Sequence, residues 1–401
     1  MVDLAGRAGS GRMTHCPVCA CPLPAPFLVR DPVPVHQNLV MDDAAAARAL
    51  SRGTLRLHAC EQCGFVCNAA FDPRLLSYGA GYDNTQSCSP AFEAYLDKLA
   101  DYVVRDRSVR NSRIVEIGCG KGGFLKALVD RDAGNHGIGF DPSYVGAEVE
   151  SDGRVRFERR FYDATCAGLA ADAVVCRHVI EHIPDPVALL RLVGQTLGNS
   201  SARVFFETPC AEWILRNEVV WDLFYEHCSY FTADSLSTAF ESAGFMVEVV
   251  RHTFGGQYLW AEARPASIAT AVGPTAGNVP RLAATFSRHE TALVAALRAR
   301  LAALADRGAV AIWGAAAKGV TLANLVDPDR TLVACVVDLN PKKQGHYLPG
   351  TGHPIVAPSE LRAYGVRTAL LTNPNYFDEN ARLLREASPE VQLVDLMRVE
   401  A

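Results

Sequence analysis

Residues Ile114-Val115-Glu116-Ile117-Gly118-Cys119-Gly120-Lys121-Gly122 form an apolar run that contains an acid and opens into glycines. A second short apolar run follows and ends in Gly139-Phe140-Asp141. This pairing constrains the fold more than any other feature of the chain. Strand, glycine turn, helix and second strand make a βαβ unit. The glycines let backbone approach a ligand, and an acid after the second strand can accept hydrogen bonds from a ribose hydroxyl pair. Such a unit implies a mostly parallel sheet covered by helices and an adenosine-containing ligand. A dinucleotide site favours G-x-G-x-x-G, whereas this string is E-x-G-x-G-x-G. A glycine-rich turn in another α/β protein is the plainer alternative.

The string resembles motif I of the class I methyltransferases that use S-adenosylmethionine (SAM). The resemblance implies that Gly118, Gly120, Gly122 and Asp141 hold SAM. Glu116 would order the loop and meet the methionine ammonium through water.

With 401 residues the chain has room for two or three domains. Strand patterns fall at 113–117, 136–140, 155–159, 172–176, 202–206, 246–251 and near 257–263. Helical patterns fall at 90–105, 121–130, 186–197 and 233–243. A second βα series follows a long Ala/Leu/Arg helix at 282–306. It runs through Val310-Ala311-Ile312-Trp313-Gly314, then Leu332 to Asp338, then Ala369-Leu370-Leu371-Thr372. The expected division is a disordered tail at 1–13, a small zinc-binding domain at 14–79 and a SAM domain at 80–263. A linker at 264–281 then leads to a helix plus smaller Rossmann-like domain at 282–401.

Composition narrows the partners. A net charge of −5 and no basic stripe argue against nucleic acid. No run of apolar residues is long enough for a membrane span. Thirteen cysteines without a secretory signal suggest a reducing, cytoplasmic setting, with thiols or metal ligands rather than disulfides. Monomer and homodimer are both compatible with the sequence.

Two C-x-x-C pairs, Cys16-Pro17-Val18-Cys19 and Cys60-Glu61-Gln62-Cys63, can each offer two thiolates from one tight turn. Two such turns close a tetrahedral Zn²⁺ site, which would staple a segment too poor in core to fold alone. Cys21 and Cys67 lie near enough to confuse the ligand set. A redox C-x-x-C is the rival reading, but neither pair sits at a βα junction. A closed four-thiolate site has no open position and no catalytic role.

Two polar clusters fall beyond the carboxyl ends of strands, where ligands bind in such sheets. In Arg177-His178-Val179-Ile180-Glu181-His182, a helical turn would put His178, Glu181 and His182 on one face. No third ligand completes an H-x-x-E-H metal site in the sequence, so His178 is expected to line the SAM or acceptor pocket. The second cluster, residues 221–231, mixes aromatic and ionisable residues and reads as a loop over the pocket. Within it the adjacent Glu226-His227 pair would set the histidine's tautomer and raise its basicity. Tyr82-Asp83-Asn84-Thr85-Gln86-Ser87 is a third polar patch placed to cover the pocket. Lys318, after a Gly-rich turn, would either meet a diphosphate or stand solvated on its helix.

Taken together, the chain resembles the three-domain nucleotide-sugar C-methyltransferases of deoxysugar pathways. The matching pieces are the paired C-x-x-C motifs, residues 116–122, and Tyr225-Glu226-His227 with Ser229-Tyr230-Phe231. Gly314-Ala315-Ala316-Ala317-Lys318-Gly319 and Val337-Asp338-Leu339-Asn340-Pro341-Lys342-Lys343-Gln344-Gly345 also match. The resemblance implies a small-molecule acceptor, a nucleotide-linked sugar or similar metabolite, methylated at a carbon beside a ketone. It implies His227 as general base, with Glu226 and Tyr82 near the acceptor; the residues themselves add Glu226 as support for His227 and His178 as a group orienting the acceptor. Strings such as Cys176-Arg177-His178 and Asn373-Pro374-Asn375-Tyr376 depart from that family, which leaves room for a sister group with another acceptor. O- or N-methylation of a natural-product scaffold is the enzymatic alternative. A binding protein with a vestigial SAM fold is the non-enzymatic one.

Overall fold

The computed structural model describes residues 13–76, 88–197, 201–266 and 273–398. Three sheets organise it. The largest has eight strands, in the order Phe245–Thr253, Tyr258–Pro265, Arg203–Pro209, Ala173–Arg177, Arg113–Ile117, His136–Phe140, Val155–Glu158 and Val149–Glu150. Arg113–Ile117 pairs in parallel with His136–Phe140 on one side and Ala173–Arg177 on the other. Strand order therefore reverses at Arg113–Ile117, and a crevice opens beyond its carboxyl end. Tyr258–Pro265 runs antiparallel to both its neighbours. This is the class I SAM-methyltransferase fold, with its seven sequence-predicted strands in place.

The helices cover this sheet because their apolar residues recur at helical spacing. Gly123–Asp130 buries Phe124, Leu125, Leu128 and Val129, and Pro186–Leu197 buries Val187, Leu190 and Val193. Pro90–Asp101 begins at Ser89, whose hydroxyl accepts from the Phe92 N–H. That cap satisfies one of the orphan donors of the first turn.

The N-terminal sheet is antiparallel and holds Leu28–Pro34, Arg52–Ala59 and Val66–Asn68. Its fourth strand, Ser229–Tyr230, comes from the methyltransferase segment. A boundary at 79 therefore divides the sequence but not the structure. The C-terminal sheet is parallel, in the order Ile355–Val356, Val333–Val337, Ala309–Trp313, Val366–Leu371 and Gln392–Asp395. Its order also reverses around its first strand, so a second crevice opens beyond Trp313. Between the two large sheets, the last strand of the first reaches Pro265 and the long helix already begins at Val279. The expected linker is thus shorter at both ends, and 267–272 lie outside the described residues. Among the described residues no helix is long and apolar enough to cross a membrane.

Candidate active site

The glycine loop sits at the first crevice. Gly118 has φ +69°, and a Cβ there would lie 2.2 Å from Val179 Cγ2, so no side chain fits. Gly120 has φ +54° with open space where a Cβ would stand, which leaves its backbone approachable by a ligand. Asp141 Oδ2 accepts from the Gly120 N–H at 2.9 Å, and Oδ1 accepts from the Ser143 N–H at 2.7 Å and its hydroxyl at 2.6 Å. The carboxylate ties the loop to the neighbouring strand and keeps lone pairs in reserve for a further donor. Glu116 is 2% exposed, and its Oε2 is buried without a partner. Burial pushes its carboxyl up to about 8, against the pull of Arg177. A buried acid with one oxygen unpartnered beside an open glycine loop fits a ligand bearing an ammonium group, as SAM does.

Beside Glu116 lies a charge network that sequence reading missed. Glu207 is fully buried on the strand Arg203–Pro209. It pairs with Arg177 at 2.8 Å, faces His178 Nε2 at 3.3 Å and accepts from the Tyr95 hydroxyl. Burial alone would raise its pKa, but these partners hold the carboxyl down at about 2. Its signal in the sequence was a lone acid following Val204-Phe205-Phe206.

His178 is not on a helical face. Its φ is +53°, and the turn that follows, Ile180–His182, is a single 3₁₀ turn. Its ring reaches Glu181 at 3.4 Å as well as Glu207. Burial disfavours the charge, but the two carboxylates outweigh it and push the imidazole up to about 9. His178 is therefore an imidazolium at neutral pH, a donor and not a base.

The loop at 221–231 is buried almost throughout and closes one wall of a cavity of about 240 Å³. Asp222, Phe224, Glu226 and His227 line that wall, with His178, Glu181 and His182 beside them. The C-terminal sheet forms the opposite wall through Gly314, Lys318, Asp338, Asn373 and Asn380. Asn38 enters from the N-terminal segment. The structure thus brings His178, Glu226 and His227 together. Gly118, Gly120, Gly122 and Asp141 are not among the cavity's lining residues. Tyr82 lies outside the described residues.

His227 Nδ1 is buried without a hydrogen-bond partner. Its ring stands 4.1 Å from the Phe224 ring and 4.8 Å from that of His182, centroid to centroid. Burial, then the charges of His182, His178 and Lys318, drive its pKa well below the ordinary value. The imidazole is neutral at neutral pH with a lone pair available. Its neighbour Glu226 does not act as expected from adjacency. Glu226 Oε1 accepts from the Gln37 N–H at 2.9 Å and faces His36 Nδ1 at 3.3 Å. The Glu226 backbone carbonyl instead lies 2.9 Å from His182 Nδ1. Consecutive residues on an irregular loop point apart, so the pair does not share a bond.

Ligand atoms of Glu181, His182 and His227 lie within 4.8 Å of one another. The third group missing from the sequence motif is therefore His227, and His178 drops out. Glu181 Oε2 already accepts from the Thr208 hydroxyl at 3.1 Å, and Oε1 faces the charged His178. Those engagements favour a hydrogen-bonded cluster over an ion site.

Lys318 opens the helix Ala317–Val326 but is neither solvated nor free. Its Nζ pairs with Asp222 Oδ2 at 2.5 Å and lies 3.3 Å from Gln257 Oε1. Asp338 repeats the arrangement of Asp141: its Oδ2 accepts from the Ala315 N–H at 2.8 Å, bracing the turn before that helix. Asn373 and Asn375 hold the two large sheets together, through Gln257 and the Phe254 carbonyl, both at 2.8 Å.

At the N-terminus the thiols of Cys16, Cys19, Cys60 and Cys63 converge within 4.8 Å. Cys16 and Cys63 are 3.6 Å apart and Cys19 and Cys60 3.5 Å, close to the edge of a thiolate tetrahedron. Cys21 and Cys67 stay out of the cluster.

Two family models match this chain. The methyltransferase domain covers residues 88–250, and the C-methyltransferase C-terminal domain covers 278–388. The chain is similar to C-methyltransferase NovU of Streptomyces niveus, 29% identical over 71% of this chain and 72% of that protein. It is also similar to the ubiquinone biosynthesis O-methyltransferase of Aromatoleum aromaticum, 30% identical over 32% of this chain and 56% of that one. Among solved structures, CalO1, a methyltransferase in calicheamicin biosynthesis, superposes with TM-score 0.36 and 18% identity over 44% of this chain and 55% of that chain. Fold, glycine loop and matched domains define a SAM-dependent methyltransferase. The chain carries a methyltransferase domain followed by a C-methyltransferase C-terminal domain.

Proposed function

We propose that the protein methylates a carbon next to a ketone on a nucleotide-linked sugar or similar small metabolite, with His227 as general base. The observation that carries this reading is His227 itself. It is an uncharged imidazole with an unpartnered nitrogen, on the wall of the cavity. A base must be deprotonated before it can act, and burial keeps this one so.

Bound SAM supplies an electrophilic methyl group. The glycine loop and Asp141 take its adenosyl part, and Glu116 takes its ammonium. His227 removes the proton beside the ketone, and the electrons of that C–H bond move onto the ketone oxygen. His178, as an imidazolium held by Glu181 and Glu207, sets a positive charge near the developing oxyanion. The enolate carbon would then take the methyl as the methyl–sulfur bond breaks, with that electron pair left on the departing thioether sulfur, and the former C–H proton would rest on His227. The far wall suits an anionic handle. The first turn of Ala317–Val326 borders the cavity without a side-chain cap, and its N–H groups favour negative charge. Lys318 stands beside it, paired with Asp222.

The four cysteine thiols fit a structural Zn²⁺, with no open position and no part in the chemistry. The NovU match supports carbon as the methylated atom. His227→Ala tests the assignment: turnover should fall about 10²–10⁴-fold with SAM affinity nearly intact. A folded His227→Ala enzyme with the parent rate would remove His227 from the role.

A further inference from the structure

We infer that the four-cysteine metal module is the brace that positions the base-bearing loop, so that metal occupancy governs His227 placement independently of SAM binding. This rests on the metal site and the role of His227 given above.

The loop is anchored on one side by the turn at 181–183, where the Cys228 N–H donates to the Glu181 carbonyl at 3.0 Å and the Ser229 hydroxyl to the Ile183 carbonyl at 2.7 Å, and on the other by the N-terminal segment. The Leu223 carbonyl accepts from Arg30 Nη1 at 3.2 Å. The Tyr225 hydroxyl accepts from the Asp72 N–H at 2.8 Å, and its ring lies flush on Gly53, where a Cβ would be 2.5 Å from Cε2. Glu226 is held by Gln37 and His36. The Cys228 carbonyl accepts from the Asn68 N–H at 2.9 Å. Ser229 and Tyr230 then pair with Cys67 and Val66 as a strand.

Their partner strand, Val66–Asn68, starts a few residues after the Cys60–Cys63 knuckle. The Cys60 N–H donates to the Phe65 carbonyl at 2.8 Å and the Gly64 N–H to the Cys60 carbonyl at 3.0 Å, so the knuckle turn itself sets where Val66 begins. Phe65 also packs on Phe231, ring centroids 5.1 Å apart. His227 lies between Glu226 and Cys228, both tied to this segment. The segment closes no core of its own but shares the two larger ones, Cys60 and Phe65 in the first and Leu55, Leu57 and Val66 in the second. Metal ligation would fix the knuckle turns that set the register between this segment and the loop. The glycine loop and Asp141 make their hydrogen bonds within the central sheet.

The test uses the full chain. Zinc content is measured first and should be about one per chain. Zinc is then removed by chelation, and in parallel by Cys63→Ser. Amide hydrogen exchange is followed in peptides covering 223–230 and 113–122, and SAM affinity by calorimetry. Exchange at 223–230 should rise about tenfold or more, while 113–122 and SAM affinity stay within about twofold. Gly53→Ala perturbs the loop without touching a cysteine. It should keep its zinc and still speed exchange at 223–230. Unchanged exchange at 223–230 in metal-free protein would overturn the inference. So would a loss of SAM affinity in step with loop protection, since the metal would then support the whole molecule. Native protein without zinc would instead sink the metal reading, and an active His227→Ala enzyme the base reading.

Discussion

Glu207→Gln removes one charge from the centre of the buried network and leaves its shape. The carboxyl is fully buried, and its partners hold it at about 2 against an ordinary value of 4.5. At 1.36 kcal/mol per unit that displacement corresponds to about 3 kcal/mol of favourable interaction in the folded state. Removing one partner of a buried ion pair costs roughly 3–5 kcal/mol, because the other charge remains. Here the stranded charge is Arg177, whose side chain is 9% exposed. A loss of about 3 kcal/mol is therefore expected, or roughly 6–12 °C in the melting of the methyltransferase domain. The variant has a second signature. His178 is held charged by Glu181 and Glu207 together. Without Glu207 its titration should move down from about 9. Calorimetry reads the first effect and histidine NMR the second. A variant that unfolds within about 0.5 kcal/mol of the parent, with His178 still titrating where it did, would refute the network.

Asp141→Ala should weaken SAM binding by roughly 1–3 kcal/mol by calorimetry, and unchanged affinity in a folded variant would remove it from the cofactor site. Glu116 is protonated at neutral pH when buried alone, since its pKa stands near 8. An incoming ammonium should ionise it, so SAM binding at pH 7 should release about one proton. Binding enthalpies that do not vary between buffers of different ionisation heat would contradict this. Stability should also fall as the solution becomes alkaline. The folded pKa of His178 is raised from 6.5 to about 9, so its contribution is complete below 6.5 and lost as pH passes 9. The loss should be about 3 kcal/mol at most, and a flat stability profile over that window would count against a charged His178.

Much of the fold was legible because its signals are local. The E-x-G-x-G-x-G string, the period-two apolar runs and the spacing of Asp141 fix a βαβ unit within a few dozen residues. The C-x-x-C pairs were legible for the same reason, since each tight turn presents its own two thiols. What escaped depends on contacts between distant segments. Ser229–Tyr230 is too short to announce a strand and exists because Val66–Asn68 offers an edge. Glu226 beside His227 suggested a pair, but the loop turns the carboxylate toward His36 and Gln37. Histidine charge states were also out of reach. His178 and His227 are neighbours in the cavity, yet two carboxylates raise one and burial lowers the other. Lys318 likewise found Asp222, ninety-six positions away.

The central claim is that a methyl group from SAM is joined to a carbon that His227 has deprotonated. A nucleoside diphosphate keto-sugar, incubated with the enzyme and methyl-¹³C-labelled SAM in D₂O, tests it most directly by NMR. The account predicts a ¹³C methyl bonded to the carbon beside the ketone. It also predicts deuterium exchange at that carbon that needs the enzyme and disappears in His227→Ala. A labelled methyl on oxygen or nitrogen, with the neighbouring C–H intact, would contradict it.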